Sequence, residues 1–353
     1  MVQRFLLLFA AVLLTVPLWS QIGGDNVYEF VNLPPSARST ALGGSLINVS
    51  DDDVALAIDN PAALQSRMHQ QLNFNHNFHL AGINNGYAGY GHHVEQWGTT
   101  LHGGVQYTRY GDFQTADEFG NVIGTFKAAE YAVVLGASRQ LYEKLRVGAN
   151  VKLISSQLES FNSLGLAADL GAFYQDTSGR FQMGLVFKNV GTQLTTYRPG
   201  NREDLPFDIQ AGISTRLKYL PFRLGLTVHH LNRWNITYDD PNTEENTLLL
   251  APNQPTREAR VGPWIDNLFR HVIFNGAFLL GKQENFRLRV AYNHFRRREM
   301  TVSTAPRSLA GFSLGFGLKI KRFRVEFGHA FYHLAGGASH FSISTNLREF
   351  RKF

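Results

Sequence analysis

Histidine is the residue type in this sequence that could most readily supply metal-binding or acid–base chemistry. The chain has 13 His, and a metal centre would need several of them at a fixed spacing, such as His-Glu-x-x-His on one helix face. No such spacing occurs. His329 and His333 lie four residues apart, but no carboxylate stands at the spacing of that motif. We interpret the histidines as strand-end or interior residues, and we predict no metal site and no cofactor.

The motifs of serine chemistry are absent as well. The sequence lacks Ser-x-x-Lys, Ser-Asp-Asn and Lys-Thr-Gly, the acylating set of one enzyme class, and it lacks the Gly-x-Ser-x-Gly elbow of many hydrolases. Catalytic triads are defined by geometry and not by chain order, so a lipase remains an alternative. The sequence predicts no catalytic residue, and we expect that the protein is not an enzyme.

The N-terminus indicates export. Arg4 precedes an apolar run from Phe5 to Val16, and the small residue Ser20 follows shortly after, which is the layout of a signal peptide over residues 1–20. The run is shorter than the roughly 20 apolar residues of a membrane-spanning helix. The chain has no Cys and a net charge of +6, which predicts no disulfide scaffold and favours acidic lipid or polysaccharide neighbours. Export argues against a nucleic-acid partner.

The stretch "SLGFGLKIKRFRVEFGHAF", residues 313–331, shows the pattern that dominates the rest of the chain. Leu314, Phe316, Leu318 and Ile320 occupy every second position, with Gly or Lys between most of them. A period of two places alternate side chains on opposite faces of a strand. The apolar face could pack on a second sheet in a soluble sandwich, or it could contact lipid in an outer-membrane barrel whose other face lines a polar lumen.

The number and spacing of the alternating segments favour the barrel. Fourteen such segments of about 10 to 14 residues follow residue 68, near 69–80, 84–94, 97–110, 127–140, 144–157, 162–175, 180–190, 206–217, 221–233, 268–281, 285–297, 308–321, 322–334 and 338–350. Connections after even-numbered segments are short, whereas several after odd-numbered ones are long, namely 111–126, 191–205, 234–267 and 298–307. This asymmetry is typical of outer-membrane barrels. We therefore predict an all-β protein, a 14-stranded antiparallel transmembrane β-barrel over residues 69–353, ending in the aromatic Phe353.

Residues 21–68 do not have the pattern of a spanning strand. Asp51, Asp52 and Asp53 precede "VALAIDNPAALQ", and we predict that they cap a short helix that Pro61 interrupts. A short element of this kind in front of a barrel could fill its lumen. We predict that residues 21–68 form an N-terminal hatch.

Two resemblances are carried by particular stretches. "DDDVALAIDNPAAL" resembles the hatch of the long-chain fatty-acid transporter family, whose fourteen-stranded barrels have an Asn-Pro-Ala turn that matches Asn60, Pro61 and Ala62. "VYEFVNLPPSARSTALGG", "NVGTQL", "IDNLFRHVIF" and "FYHLAGGASHFSISTNL" resemble the PorV/PorQ family of the type IX secretion system of Bacteroidetes. This second resemblance covers essentially the whole mature chain.

The second resemblance implies a function. It implies an outer-membrane component of a surface attachment complex that joins exported cargo to anionic lipopolysaccharide. In that complex the protein would be the membrane anchor for PorZ and would work with PorU and PorV. The first resemblance leaves open a transporter of hydrophobic compounds, although the predicted lumen face is rich in Gly, Arg, Lys and Asn.

The longest predicted outer loop, Trp234 to Asn267, is a candidate docking site. It contains the acidic stretch that includes Asp239 and Asp240, and then the apolar triplet Leu248, Leu249 and Leu250. Long loops without structure of their own are usually functional or disordered, and bare apolar side chains at a surface tend to mark interaction sites. We predict a partner-binding loop here, with a lid over the barrel mouth as the alternative.

Overall fold

The fold is a closed barrel of fourteen strands. The computed structural model describes residues 26–79, 82–237, 262–281, 284–300, 309–333 and 336–350. Each strand pairs with its sequence neighbour, and β1 pairs with β14 from Gln71 opposite Asn346 onward, which closes the ring. All pairings are antiparallel. The predicted 14-stranded antiparallel barrel is confirmed.

Each of the fourteen predicted segments corresponds to one strand of the structure. The strands are β1 Gln71–Phe78, β2 Asn84–Val94, β3 Thr99–Ala116, β4 Val122–Tyr142, β5 Leu145–Leu158, β6 Phe161–Gln175, β7 Phe181–Thr195, β8 Asp208–Arg216, β9 Phe222–Val228, β10 Val272–Leu280, β11 Phe286–Asn293, β12 Phe312–Ile320, β13 Phe323–His333 and β14 Gly336–Asn346. The signal peptide and Phe353 lie outside the described residues.

The two faces of the wall have inverted polarity relative to a soluble protein. In β12, Leu314, Phe316, Leu318 and Ile320 are exposed on the outer face, while Ser313 is fully buried on the inner face. In β1, Leu72, Phe74 and Phe78 are exposed in the same way, and the alternating asparagines are buried. Apolar side chains outside and polar ones inside are what a lipid-embedded barrel needs.

Short helices lie before the barrel and between its strands. The α-helices are α1 Ala37–Ala41, α2 Leu56–Asp59, α3 Pro263–Arg270 and α4 His294–Glu299. The 3₁₀ turns are Glu29–Asn32, Pro61–Ala63, Ser66–Met68, Glu95–Trp97 and Leu347–Phe350. No helix in the described ranges is long and apolar enough to cross a membrane.

The connections differ between the two ends of the barrel. At the short-turn end, tight connections follow the even-numbered strands, such as the two residues between β4 and β5 and the two between β12 and β13. The long-connection end carries residues 196–207, 229–271 and 294–311 between strands. The prediction of a loop over residues 111–126 is wrong, because most of these residues belong to β3 and β4. Phe113 and Phe126 stack across that hairpin with ring centroids 5.0 Å apart and extend the pairing.

Two predicted strand ends are helices instead. β10 begins at Val272 and not near 268, because Pro263 opens α3 and its fixed φ suits the first helical position. β11 ends at Asn293, whose side chain accepts a hydrogen bond from the amide of Arg296 and caps α4. β9 is also shorter than predicted and ends at Val228.

Candidate functional site

The plug segment, residues 26–68, lies inside the barrel. Hydrogen bonds and ion pairs join it to β1, β3, β5, β7, β8, β9, β11, β13 and β14. A segment bonded to strands around the whole circumference of a closed barrel occupies its lumen. Many of its apolar residues are buried, and Phe30, Val31, Leu46, Ile47 and Leu56 are each at most 2% exposed. The plug segment therefore has a packed core of its own inside the wall.

The first helix of the plug segment packs against the last strands. The amide of Ala37 donates to Ser342 Oγ at 2.8 Å, and Thr40 Oγ1 bonds to His340 Nδ1 at 2.9 Å. Gly328 is required at this contact, because a β-carbon there would lie 2.1 Å from the Ala37 carbonyl oxygen. The small residue of β13 thus lets the helix backbone approach the wall.

The Asn-Pro-Ala turn of the plug segment contacts the wall at β5 and β6. The Asn60 side chain accepts from the amide of Ala62 at 3.0 Å and donates to the carbonyl of Ile47 at 3.0 Å. Pro61 stands at the first position of a 3₁₀ turn, where its missing N–H costs nothing. A β-carbon on Gly171 of β6 would lie 2.2 Å from Asn60 Oδ1. Asn60, Pro61 and Ala62 are fully buried and form a structural turn against β5 and β6.

A bulge in β7 builds a buried polar network. Asn189 has a left-handed backbone with φ of 57°, opposite a register shift in β6. Its amide donates to Asp169 Oδ1 at 2.9 Å, and its side-chain oxygen accepts from Lys152 Nζ at 2.8 Å. Asn189 Nδ2 also donates to Asn32 Oδ1 of the plug segment at 2.8 Å. The first residue of "NVGTQL" thus ties the wall to the plug.

The aspartate triplet acts mainly through ion pairs. Asp51 Oδ2 lies 2.7 Å from Arg38 and 3.5 Å from Arg287, and Asp52 lies 2.7 Å from Arg324. The predicted helix cap is wrong in its details: α2 has no side-chain cap at its N-terminus, and Asp53 Oδ1 instead accepts from the amide of Ala55 at 3.0 Å. The triplet fastens the plug segment to β11 and β13 at the short-turn end.

These carboxyl groups differ in their pKa. Burial opposes ionisation of Asp51, but the charges of Arg38 and Arg287 hold its pKa well below the ordinary value. Burial, followed by the charge of Glu326, raises the pKa of Asp53 to about 6. Asp53 also accepts a hydrogen bond from Asn73 of β1 at 2.6 Å. Asp51 therefore stays ionised at pH values below 6, at which Asp53 is largely protonated.

A second feature lies at the long-connection end. Trp234, Trp264, Ile265, Leu268 and Phe269 are between 36% and 63% exposed, and we name these five residues the rim surface. Trp234 and Trp264 lie with ring centroids 6.4 Å apart, and the Asn267 side chain donates to the Trp234 carbonyl at 2.7 Å. The rim surface contains the two described ends of the predicted docking loop.

An ion-pair network fixes the rim surface. Asp266 on α3 accepts from Arg270 at 2.9 Å, His294 at 3.0 Å and Arg298 at 3.0 Å. Burial would raise the pKa of the Asp266 carboxyl, but the hydrogen bonds from Arg270 and His294 hold it below its ordinary value. Arg270 also pairs with Glu299. Since His294, Arg298 and Glu299 lie on α4, these ion pairs join α3 to α4 in one support.

The structure describes some of the predicted site residues and not others. Asn60, Pro61 and Ala62 come together in the lumen as described. Asp239, Asp240, Leu248, Leu249 and Leu250 lie outside the described residues. The part of the chain that the structure describes holds no group of three or more His, Asp or Glu arranged for a metal ion. The sequence analysis did not predict the rim surface. It also did not predict the polar network around Lys152, because the partners of this lysine, Asp169 and Asn189, are distant in sequence.

A closed fourteen-stranded barrel with an apolar outer face and a polar inner face is an outer-membrane β-barrel protein. Its structure is similar to that of a deltaS2 mutant of the TodX monoaromatic hydrocarbon channel, with 13% identity, coverage of 89% of this chain and 97% of that chain, and a TM-score of 0.51. At this identity the similarity shows the fold.

Two other solved structures are similar over comparable lengths. The CymD monoaromatic hydrocarbon channel has 15% identity, with 90% of this chain and 97% of that chain covered and a TM-score of 0.49. A FadL homologue of Pseudomonas aeruginosa has 12% identity, with 88% and 98% covered and a TM-score of 0.47. No protein-family model matches the chain. No curated protein matches it either.

Proposed function

We propose that this protein is a sealed membrane anchor for a surface assembly, in the role that the PorV/PorQ resemblance implies. It would anchor PorZ in a Bacteroidetes-type outer membrane and work with PorU and PorV in joining cargo to anionic lipopolysaccharide. The observation that carries the proposal is a lumen packed with protein in a barrel whose long-connection end presents a rigid apolar surface. An anchor needs a stable wall and a docking surface, and it needs no open path.

The packing of the plug segment supports this role. Backbone of the plug lies directly against wall glycines: a β-carbon on Gly184 would be 2.1 Å from the Ile47 carbonyl oxygen, and one on Gly148 would be 2.6 Å from the Pro61 carbonyl carbon. The cavity between the plug and β9 to β11 measures about 20 Å³, which holds about one water molecule. A hydrophobic substrate has no room at these contacts.

The rim surface supplies the docking surface. Exposed aromatic side chains grouped at one place on a protein mark interaction sites, and Trp is enriched among residues that contribute most to binding. Because the Asp266 network fixes α3, little conformational entropy is lost when a partner binds. The rim surface also flanks residues 238–261, which include the predicted docking residues.

The experiment is purification of the tagged full-length protein from native outer membrane. The variant Trp264→Ser, Leu268→Ser should lose PorZ from the purified material, while the barrel still migrates as a heat-modifiable band. The matched control is Tyr219→Ser, Leu220→Ser, which removes two exposed apolar side chains at the short-turn end and should retain PorZ. Retention of PorZ by the α3 variant would refute the rim surface as its binding site.

Transport of hydrophobic compounds is the second candidate, and the fold comparison favours it over anchoring. A hydrocarbon channel shares the fold at a TM-score of 0.51. In addition, an apolar groove of about 440 Å³ opens on the outer face across β14, β1, β2 and β3, lined in part by Leu72, Phe74, Tyr90 and Ile343. Uptake of labelled toluene by cells that contain or lack the protein tests this candidate. Equal uptake in both would rule it out for that substrate.

A further inference from the structure

A small cavity at the short-turn end is lined by four arginines, one asparagine and two carboxylates. It lies between the plug segment and strands β9, β10 and β11, and it measures about 20 Å³. Its polar lining consists of Arg38 and Asp51 from the plug segment, and of Arg223, Asn275, Glu284, Arg287 and Arg289 from the wall and its turn. Four guanidinium groups therefore face one space that is large enough for a single water molecule or halide ion.

Several of these donors have no hydrogen-bond partner among the described residues. They include Arg38 Nε, Arg223 Nε, Arg287 Nε, one terminal nitrogen of Arg289 and Asn275 Nδ2. Arg287 is only 6% exposed and Arg289 only 4%. A buried donor without an acceptor costs free energy, and more when it belongs to a charged group. The residues that line this cavity thus carry several buried donors that call for an acceptor.

The carboxylates near the cavity are already engaged. Asp51 pairs with Arg38 and Arg287, at 2.7 and 3.5 Å. Glu284 pairs with Arg216 at 2.6 Å and with Arg287 at 3.3 Å.

The arginines are not all neutralised in this way. Glu326 pairs with Arg289 at 2.6 Å. Arg223 has no carboxylate partner in the described ranges, and its terminal nitrogen donates to the neutral Gln182 at 3.4 Å. The Arg223 guanidinium therefore forms no direct ion pair within the described ranges, although Asp51 and Glu284 line the same cavity.

We propose that this cavity binds one small monovalent anion of halide size, chloride under physiological conditions. An anion would accept from the unpartnered donors of Arg223, Arg287, Arg289 and Asn275 and would balance the charge of Arg223. A cation would face four guanidinium groups, and the two lining carboxylates, Asp51 and Glu284, are already paired with arginines. Phosphate, sulfate and carboxylate ligands are larger than the space. Since the donors come from β9, β10, β11 and the plug segment, the bound anion joins the plug to the wall.

The first test is crystallographic. Crystals of the full-length protein grown with sodium bromide should show one anomalous bromide peak between Arg223 and Asn275. The peak should disappear in the Arg223→Gln variant and in Asn275→Leu, which removes the amide donor at nearly constant volume. An ordered water without anomalous signal in the wild-type cavity would overturn the proposal.

The second test follows the stability of the docked plug in solution. Hydrogen exchange of plug amides is measured in chloride and in gluconate at equal ionic strength, since gluconate is too large for the cavity. An anion that binds only the docked state should slow plug opening about tenfold at ten times its dissociation constant. Equal exchange in the two salts would overturn the proposal.

The matched control for both tests is Arg146→Gln. Arg146 also faces the plug at the short-turn end and donates to Gln65 at 3.2 Å and to Ser50 at 2.8 Å, but it does not line the cavity. This variant should speed plug opening to the same degree in chloride and in gluconate, and it should keep the bromide peak. Loss of the chloride effect in Arg146→Gln would show that the effect is not local to the cavity.

Discussion

Lys152 of β5 and Asp169 of β6 form an ion pair in the lumen, with Nζ 2.9 Å from Oδ2 and neither side chain exposed. Asn189 completes the site by accepting from Lys152 and donating its amide to Asp169. Asn150 also donates to Asp169 at 3.2 Å and to the plug carbonyl of Ala57 at 2.8 Å. The pair is therefore one centre that links the wall to the plug segment.

Removing one partner of this pair should destabilise the barrel strongly. We expect Lys152→Met to lower the free energy of unfolding by about 3 to 5 kcal/mol, because Asp169 would remain buried without its cation. Urea titration of the protein in lipid vesicles measures this. The double variant Lys152→Met, Asp169→Leu should recover part of the loss, since no unpaired charge remains. Equal losses in the single and double variants would contradict this account of the pair.

The outer face of β12 tests the position of the lipid. Phe316 is 44% exposed and faces away from the lumen. An arginine at that position should cost about 2 to 4 kcal/mol near the bilayer midplane, whereas Phe316→Leu should cost far less because the side chain stays apolar. The same vesicle titration compares them. If Phe316→Arg were as stable as Phe316→Leu, this face would not contact lipid.

Part of the plug segment should be removable without loss of the wall. Deleting residues 51–66 leaves every strand pair intact, including the β1 and β14 closure, and the hydrogen bonds of a closed barrel are satisfied within the wall. We expect the variant to insert and to conduct small ions across a planar bilayer, while the full-length protein does not. Failure to insert would show that these residues are needed to form the wall.

Asp53 should make plug docking depend on pH. Its pKa in the folded protein is about 6, above the ordinary 3.8, because of burial and the charge of Glu326. The protonated form is therefore favoured in the folded state, so its contribution to stability is complete below pH 3.8 and is lost as the pH rises through 6. The thermal midpoint of the wild type should fall between pH 4.5 and 7.

The Asp53→Asn variant isolates this effect. The amide oxygen can accept the same bonds from Ala55 and Asn73, and it carries no charge at any of these pH values. Its thermal midpoint should be nearly independent of pH over the same range. Asp51, whose pKa is lowered, would change stability only at more acidic pH. An unchanged pH dependence in Asp53→Asn would assign the effect to another group.

The strands could be predicted from the sequence because lipid imposes a regular pattern. Outward positions are mostly apolar and the inward ones need not be, so the period of two in β12 and its neighbours is clear. The ends were harder to predict. Residues 268–271 were predicted to begin a strand, but Ile265, Leu268 and Phe269 fall on one helix face, and Pro263 decides in favour of α3.

The lumen contacts could not be predicted in the same way. Lys152, Asp169 and Asn189 each look like ordinary inward polar residues, and only the register of β5, β6 and β7 brings them together. The aspartate triplet had a plausible local role as a helix cap, and its arginine partners lie more than 200 residues away in the case of Arg287 and Arg324. Pairings over such distances depend on barrel closure.

The most direct test of the anchoring function is the distribution of exported cargo in a strain that lacks this protein. Cargo that normally carries anionic lipopolysaccharide is quantified on the cell surface and in the medium. The proposal predicts that cargo moves from the surface to the medium and that the full-length gene restores attachment, while the Trp264→Ser, Leu268→Ser variant does not. Complete surface attachment of cargo in the deletion strain would contradict the proposed function.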